Sequence, residues 1–421
     1  MTDAATDTAA DNLLLRILLD PEARREPYPL YRELRERAPV LRSSMGQLVL
    51  SRYDDCLDVL RDPRLGRGTT ARLRGELPMP PVPAGVDLDL ESARAFFERA
   101  GSSMLFADPP DHTRLRRLVS RAFTPQHVEA LRPAVQTMVG ELLDGMAEMA
   151  EVDVVEALAF PLPVAVIGEL LGVPAADRAG FRPLVADGVA ALDPTADAAA
   201  LDRAIAAQDT MADYFTSLVA ERRRQPAGDL LSGLAAAREG GDALSDDEVI
   251  GTAILLFAAG FETTTNLIGN GLLALLRHPD QLERWRADPG LGRSGVEELL
   301  RWDSPVQLNG RTALVAAEAA GQELAPGVFV TVLAAGANRD PARFADPEVL
   351  DVGRADNAPL SFGSGIHHCL GAALARMEGE VVFNALLGRF TTIELAVDEP
   401  ERRPTLALRG LASLPVSLLA A

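Results

Sequence analysis

The segment Phe362-Gly-Ser-Gly-Ile-His-His-Cys-Leu-Gly371 determines how this chain is interpreted. Its glycines predict turns up to His368, and a helical pattern follows from Gly371 onward. Cys369 is therefore expected at a helix N-terminus, where free backbone N–H groups and the helix dipole stabilise a thiolate. The glycines at 363, 365 and 371 would let the backbone wrap closely around a bulky group.

Two other interpretations of this segment are weaker. A lone cysteine in a helical sequence is usually a buried core residue, but the glycines and the histidine around Cys369 argue against that. Zinc binding by His367, His368 and Cys369 is not favoured, because adjacent ligands point to different sides and no second cluster completes a tetrahedron. The other cysteine, Cys56, is expected in the core, and two cysteines this far apart exclude a disulfide scaffold.

The segment resembles the cysteine loop of the cytochrome P-450 family, because it matches every specified position of the pattern F-G-x-G-x-H-x-C-x-G. In that family the cysteine is the axial thiolate ligand of a haem iron. The resemblance implies haem b as the cofactor and Cys369 as the iron ligand. It also implies that His367 meets a haem propionate and that Phe362 packs near the sulfur. Gly363 and Gly371 belong to the same cofactor-binding loop.

A long helix is predicted before this loop. Ser245-Asp-Asp-Glu248 forms a capping box, and apolar residues at helical spacing follow to about His278. A helix of roughly 33 residues would be about 50 Å long and would run through the molecule. Its middle, Ala259-Gly-Phe-Glu-Thr-Thr264, has low helix propensity in a place that should be buried. Such a local conflict indicates a functional site.

The middle of this helix resembles the acid–alcohol motif of the same family. The resemblance implies that Glu262 and Thr263 deliver protons to dioxygen, a role for which a carboxylate beside a hydroxyl is suited. Gly260 is expected to let a ligand approach the helix, and Thr263 to donate to a helix carbonyl. The alternative is a glycine that serves helix packing beside a solvated glutamate.

Charged residues elsewhere match the family as well. Glu298 and Arg301 lie three apart on one helical face, and they resemble the Glu-x-x-Arg pair of the family. Arg354 matches the arginine that completes this network in the family. Glu297 is expected to be solvated.

A second set of cations precedes the long helix. His112 and Arg116 lie four apart, so two potential cations on one helical face require an anion. The resemblance implies that they meet haem propionates together with Arg311. The alternative is a basic solvated face, which we expect for Arg114, Arg117 and Arg121.

Composition excludes several classes of protein. Of the 421 residues, 48% are hydrophobic and 24% charged, which is typical of a globular chain. A net charge of −20 argues against binding to nucleic acid or to anionic membranes. No apolar run approaches the ~20 residues of a membrane span. The N-terminus lacks the pattern of a signal peptide, so a cytoplasmic location is expected.

Helical patterns dominate to Gln281, β-like runs lie between Gln307 and Pro359, and strands are expected again from Thr391. An irregular, proline-rich segment covers residues 66–110. There is no repeat and no linker. With the resemblance, this predicts a mainly α fold with a minor β region, in a single large domain over residues 1–421. Residues 1–20 are expected to be partly flexible.

The resemblance implies a haem-thiolate monooxygenase that uses dioxygen to hydroxylate or epoxidise a medium-sized hydrophobic molecule, such as a natural product. Electrons would come from a ferredoxin and its reductase, because the chain has no cysteine cluster for a fused iron–sulfur module. A monomer is expected. The alternatives are a peroxide-driven peroxygenase and a non-enzymatic haem-binding protein. The segments expected to line the substrate pocket are 66–106, 181–215, 253–264, 306–309 and 410–414.

Overall fold

Helices form most of the structure. The computed structural model of the chain describes residues 7–78, 90–101, 103–120, 123–193, 195–239 and 242–420. The α-helices are α1 Thr8–Leu19, α2 Pro21–Arg25, α3 Tyr28–Arg37, α4 Tyr53–Arg61, α5 Thr69–Leu73, α6 Leu90–Ala100, α7 Asp111–Ser120, α8 Pro125–Ala130, α9 Arg132–Ala147, α10 Pro161–Leu171, α11 Ala175–Arg178, α12 Phe181–Ala190, α13 Ala198–Arg224, α14 Leu230–Ala236, α15 Asp246–Leu276, α16 Pro279–Ala287, α17 Gly292–Trp302, α18 Ala334–Ala337 and α19 Ala372–Arg389. The prediction of a mainly α fold is confirmed.

The minor β region consists of short strands. They are β1 Val40–Arg42, β2 Leu48–Leu50, β3 Leu65–Gly66, β4 Glu151–Asp153, β5 Arg238–Glu239, β6 Asp242–Ala243, β7 Asn309–Ala313, β8 Ala317–Ala319, β9 Gln322–Leu324, β10 Phe329–Val332, β11 Phe390–Leu395 and β12 Pro415–Ala420. The largest sheet has the order β1-β2-β10-β7-β3, and a second has the order β11-β12-β4. In the first sheet, β3 pairs antiparallel with β7, so that Leu65 lies opposite Ala313 and Gly66 opposite Thr312.

Helix α15 is the central element of the fold. Its 31 residues span about 47 Å, and the predicted capping box between Ser245 and Glu248 is present. One large core cluster joins α15 to α9, α17 and α19, and another joins it to α10, α12 and α13. Although α15 is long and apolar, none of the helices in the described part of the chain has the length and hydropathy needed to cross a membrane.

The N-terminal segment differs from the sequence expectation. Residues 1–6 lie outside the described residues, but Thr8–Leu19 form α1, whose first N–H groups donate to the Asp7 side chain. Leu13, Leu14 and Ile17 are buried and pack with residues of α3. Their helical spacing makes α1 part of the core, so the flexibility expected over residues 1–20 does not describe this helix. In the irregular segment, Pro80, Pro81 and Pro83 lie outside the described residues.

Candidate active site

The cysteine loop depends on two glycines for its shape. Gly363 and Gly365 have φ angles of 65° and 68°, in the left-handed region that favours glycine. A Cβ on Gly365 would also lie 2.3 Å from the carbonyl oxygen of Leu60. The loop closes where the Cys369 N–H donates to the Phe362 carbonyl at 2.9 Å. Gly371 has an ordinary φ of −83° and precedes the first residue of α19.

The Cys369 side chain is accessible, whereas Cys56 is buried and its thiol donates to the Leu50 carbonyl at 3.4 Å. The core placement predicted for Cys56 is therefore confirmed. Desolvation by the surrounding chain raises the pKa of the Cys369 thiol, while the Gly371 N–H, Arg116 and Arg376 act to lower it. Desolvation outweighs these three groups, so the surrounding chain by itself favours the protonated thiol, which lies three residues before α19 begins.

Phe362 and Glu297 both contact Arg376, a residue to which no sequence pattern assigned a role. The guanidinium of Arg376, on α19, lies over the Phe362 ring at 4.4 Å from its centroid. The same side chain forms an ion pair with Glu297. The prediction that Glu297 is solvated is therefore wrong, because α19 brings a cation against it. The cysteine loop is thereby linked to α17.

The middle of α15 presents one accessible face. Ala259 is exposed and Thr263 partly exposed, one helical turn apart, although most residues from Phe261 to Leu275 are buried. The Thr263 hydroxyl donates to the Ala259 carbonyl at 2.9 Å, and the buried Thr264 donates to the Gly260 carbonyl at 3.1 Å. The predicted bond from Thr263 to a helix carbonyl is confirmed.

Gly260 has a different role from the one predicted. A Cβ at this position would meet the Ile167 side chain on α10 at 3.1 Å. The absence of a side chain therefore lets α10 and α15 approach closely, and the expectation that a ligand approaches at Gly260 is wrong. The alternative interpretation, a glycine that serves helix packing, is the correct one for this residue.

The Glu262 carboxylate is buried and has an ion-pair partner. Its side chain is 5% exposed and forms an ion pair with Arg403, from the segment between β11 and β12. The Asn266 side-chain amide also lies 3.5 Å from Glu262 Oε1. Successive residues of a helix point about 100° apart, which separates Glu262 from the face of Thr263. Sequence spacing gave no signal for Arg403, because the pairing is long-range.

His112, His367 and Arg311 come together as predicted. The two imidazole rings lie 4.3 Å apart between centroids. Burial lowers the pKa of both, and the charge of Arg311 contributes to lowering it. Both ring nitrogens of His112 and Nε2 of His367 are buried without a hydrogen-bond partner among the described residues. Burial lowers the pKa of Arg311 to about 9. Buried polar atoms without partners are rare, so this cluster is suited to bind an anion.

Arg116 lies on α7 one turn after His112, and its side chain is half-buried. Its Nη2 donates to the His368 carbonyl at 2.7 Å and so holds the cysteine loop. Arg114, which was expected to be solvated, instead forms an ion pair with Glu248 of the capping box. Arg121 lies outside the described residues. Arg67, which the sequence did not single out, lowers the pKa of Arg311 and of His367 and therefore belongs to this cationic group.

Glu298 is the centre of a buried polar network. Arg301 donates to both of its carboxylate oxygens at 2.8 Å, and both side chains are 0% exposed. Arg354 Nε donates to Glu298 Oε2 at 3.1 Å, as predicted. The network also includes Asn357 Nδ2 and the Asp351 N–H, which no sequence pattern indicated. These bonds join α17 to the segment that precedes the cysteine loop.

Part of the predicted substrate-lining set is core. Phe181, Phe215 and Phe257 are at most 4% exposed, and the rings of Phe181 and Phe257 lie 4.5 Å apart. These three side chains fill the space between α12, α13 and α15. For metal binding, the described ranges contain no cluster of three His, Cys, Asp or Glu residues that could hold an ion.

Comparison with known proteins shows which family this chain belongs to. The family model described as cytochrome P450 matches residues 187–288 and 293–418. The chain is 38% identical to the polyketide biosynthesis cytochrome P450 PksS of Bacillus subtilis, over 94% of this chain and 97% of that one. It is 40% identical to the 6-deoxyerythronolide B hydroxylase of Saccharopolyspora erythraea, over 93% and 96%. It is also similar to the structure of P450BioI in complex with an acyl carrier protein ligated to hexadec-9Z-enoic acid. That match has a TM-score of 0.86 and 34% identity, over 95% of this chain and 99% of that one.

The chain therefore belongs to the cytochrome P450 family, and it is a monooxygenase with haem as its cofactor. The relatives are enzymes, which sets aside the alternative of a non-enzymatic haem-binding protein. The residues described above fit that cofactor, because an accessible thiol and a cluster of cations with unpartnered nitrogens match a metal centre that carries carboxylates.

Proposed function

We propose that this monooxygenase hydroxylates or epoxidises a medium-sized hydrophobic natural product with dioxygen, using electrons from a ferredoxin and its reductase. The observation that carries the proposal is the accessible Cys369 thiol together with the accessible face of α15 at Ala259 and Thr263. The relatives support the substrate class, since one is named for polyketide biosynthesis and another as a hydroxylase of 6-deoxyerythronolide B.

Cys369 would hold the haem iron, and when bound the haem supplies reductive activation of dioxygen. Phe362, Gly363 and Gly371 would shape the loop around the thiolate. The propionates would be bound by His112, Arg116, Arg311 and His367. The unpartnered imidazole nitrogens of His112 and His367 support this assignment, and Arg116 would contribute both its charge and its bond to the loop.

Thr263 and Glu262 would control proton delivery. The Thr263 hydroxyl lies on the accessible face of α15, where it can hold a proton or a water molecule. Glu262 is paired with Arg403, so proton transfer through its carboxylate requires that ion pair to open.

The electron donor would dock near the cysteine loop. Arg116 and Arg376 both lie close enough to Cys369 to lower the pKa of its thiol. Cations at this place, on a chain with a net charge of −20, favour an acidic partner such as a ferredoxin. We propose that the protein acts as a cytoplasmic monomer.

The test combines spectroscopy with turnover. A library of hydrophobic compounds is titrated into the haem-loaded protein while the haem spin state is followed by absorption. Compounds that shift it are then incubated with a ferredoxin, its reductase, NADPH and ¹⁸O₂. The proposal predicts a product that carries one ¹⁸O atom. Product formation with hydrogen peroxide alone, and none with the electron donors, would instead identify a peroxygenase.

A further inference from the structure

Arg67 and Arg311 lie close together at the end of the pairing between strands β3 and β7. In the antiparallel pair, Leu65 faces Ala313 and Gly66 faces Thr312, and Arg67 and Arg311 are the residues directly beyond this last pair. Thr312 Oγ1 donates to the Arg67 carbonyl at 3.1 Å, which keeps the strands together at this point. Like charges that lie close together repel each other, and burial strengthens the repulsion. An anion near both guanidinium groups would stabilise this arrangement.

Among the described residues, the Asp108 carboxylate is an anion near both arginines: burial lowers the pKa of each, and the charge of Asp108 opposes this. No carboxylate oxygen of the described residues hydrogen-bonds to either guanidinium group, and both donate to the Gly310 carbonyl. Arg67 Nη1 donates to the Gly310 carbonyl at 3.4 Å, and Arg67 Nε is buried without a partner among the described residues. Asp108 is the nearby carboxylate, but its two oxygens accept the backbone N–H groups of Arg67 and Gly68, both at 2.7 Å. Asp108 thus fixes the backbone that carries Arg67, and Arg67 Nε keeps the capacity to donate to a further ligand.

The same group of cations extends to both histidines. Burial and the charge of Arg116 lower the pKa of His112, and the charges of Arg67 and Arg311 lower it further. The His112 ring lies 4.3 Å from that of His367. Asp108 is linked to this group from the other side, because its carbonyl accepts the His112 N–H at 3.0 Å. The residues after strand β3, strand β7, helix α7 and the cysteine loop therefore direct arginine and histidine side chains into one place.

We propose that Arg67 binds a haem propionate and that Asp108 is the residue that positions Arg67 for this contact. The resemblance of the cysteine loop to the family assigns neither residue. The inference rests on the haem that the family binds and is independent of the proposed substrate. A substrate carboxylate is the other anion that could meet Arg67, and the experiment separates the two.

The experiment measures transfer of oxidised haem from substrate-free protein to an excess of apomyoglobin. Arg67→Met removes the cation, Arg67→Lys keeps it, and Arg64→Met is the matched control, because Arg64 is exposed and paired with Asp62. Loss of a hydrogen bond between charged groups predicts about tenfold or more faster transfer for Arg67→Met. We expect an intermediate rate for Arg67→Lys and an unchanged rate for Arg64→Met.

The haem reduction potential gives a second readout. Arg67→Met should lower it, because removal of a nearby cation disfavours the added electron. Asp108→Asn tests the positioning role with the cation retained, and its transfer rate should also rise. Unchanged haem transfer and an unchanged reduction potential in Arg67→Met would overturn the proposal. If Arg67→Met weakens only the binding of carboxylate compounds, the anion that meets Arg67 is a substrate carboxylate, and the proposal is overturned as well. Neither readout uses substrate or an electron donor, so failure here is distinct from failure of the proposed function.

Discussion

The Glu262 carboxylate forms an ion pair with the Arg403 guanidinium, although 141 positions separate the two residues. Glu262 is almost fully buried, whereas Arg403 retains 21% of its side-chain exposure. The pair ties the centre of α15 to the segment between β11 and β12. Glu262 therefore has a structural contact in addition to the proton-delivery role proposed for it.

Arg403→Met should destabilise the protein more than Glu262→Gln. Removal of Arg403 leaves a buried charge without its partner, at a cost of about 3 kcal/mol, whereas glutamine at position 262 carries no charge. Combining both substitutions should recover much of the loss. Thermal unfolding of the two single variants and the double variant measures this coupling. Additive losses would show that the ion pair contributes little.

Thr263→Ala should bind haem and consume reductant but release more hydrogen peroxide for each product formed. A proton relay contributes typically 10²–10⁴-fold to a proton-transfer step, so its loss should divert the reaction toward peroxide. The control is Thr264→Ala, because Thr264 is buried and its hydroxyl donates within the helix. Reductant, product and peroxide are measured together. Wild-type coupling in Thr263→Ala would assign this hydroxyl to helix structure.

Cys369→Ser should abolish the long-wavelength absorption band of the reduced carbon monoxide complex, because that band requires a thiolate ligand. Cys56→Ala provides the control, since Cys56 is fully buried in the core. The Cys56→Ala variant should keep this absorption band even if its folded state is less stable than that of the wild type. The reduced carbon monoxide spectrum measures both variants. A surviving band in Cys369→Ser would contradict the assignment.

Glu298→Ala should yield little folded protein. It leaves Arg301 and Arg354 without their shared carboxylate, and breaking a buried pair costs about 3–5 kcal/mol. Glu297→Ala is the neighbouring control, because its partner Arg376 is 35% exposed and loss of such a pair costs about 1 kcal/mol or less. Haem content and thermal unfolding measure the difference. Equal stability of the two variants would refute the structural role of Glu298.

Glu378→Gln should stabilise the protein at alkaline pH. Burial raises the pKa of Glu378 to about 8, and its Oε2 has no partner among the described residues. Above pH 4.5 the unfolded chain loses this proton while the folded chain retains it. Stability therefore falls by about 1.4 kcal/mol per pH unit until about pH 8. The glutamine variant should lack this decline, which denaturant unfolding at pH 5 and pH 8 measures.

Glu380→Gln is the matched control for this pH dependence, because Glu380 lies on the same helix but is 33% exposed and paired with Arg132. Its stability should follow that of the wild type between pH 5 and pH 8. An unchanged decline in Glu378→Gln would show that another group causes it.

Local sequence determined the elements and the loop. The capping box starts α15 where it was predicted, because both partners lie within one helical turn. Gly363 and Gly365 adopt positive φ angles, which glycine tolerates without the strain that other residues would have. The pair Glu298 and Arg301 was also predictable, since helical spacing puts both on one face.

Tertiary structure decided which distant groups meet these residues. Gly260 serves packing because α10 crosses α15 at that residue, and Arg403 reaches Glu262 because a late segment folds over the helix. Arg67 comes close to Arg311 only because β3 and β7 pair just before these residues. Residue spacing along the chain predicts contacts within a turn or on one helical face. Contacts between elements depend on how the apolar faces of those elements pack against each other. The hydrophobic pattern of this sequence shows which faces are apolar, but it does not specify which faces meet.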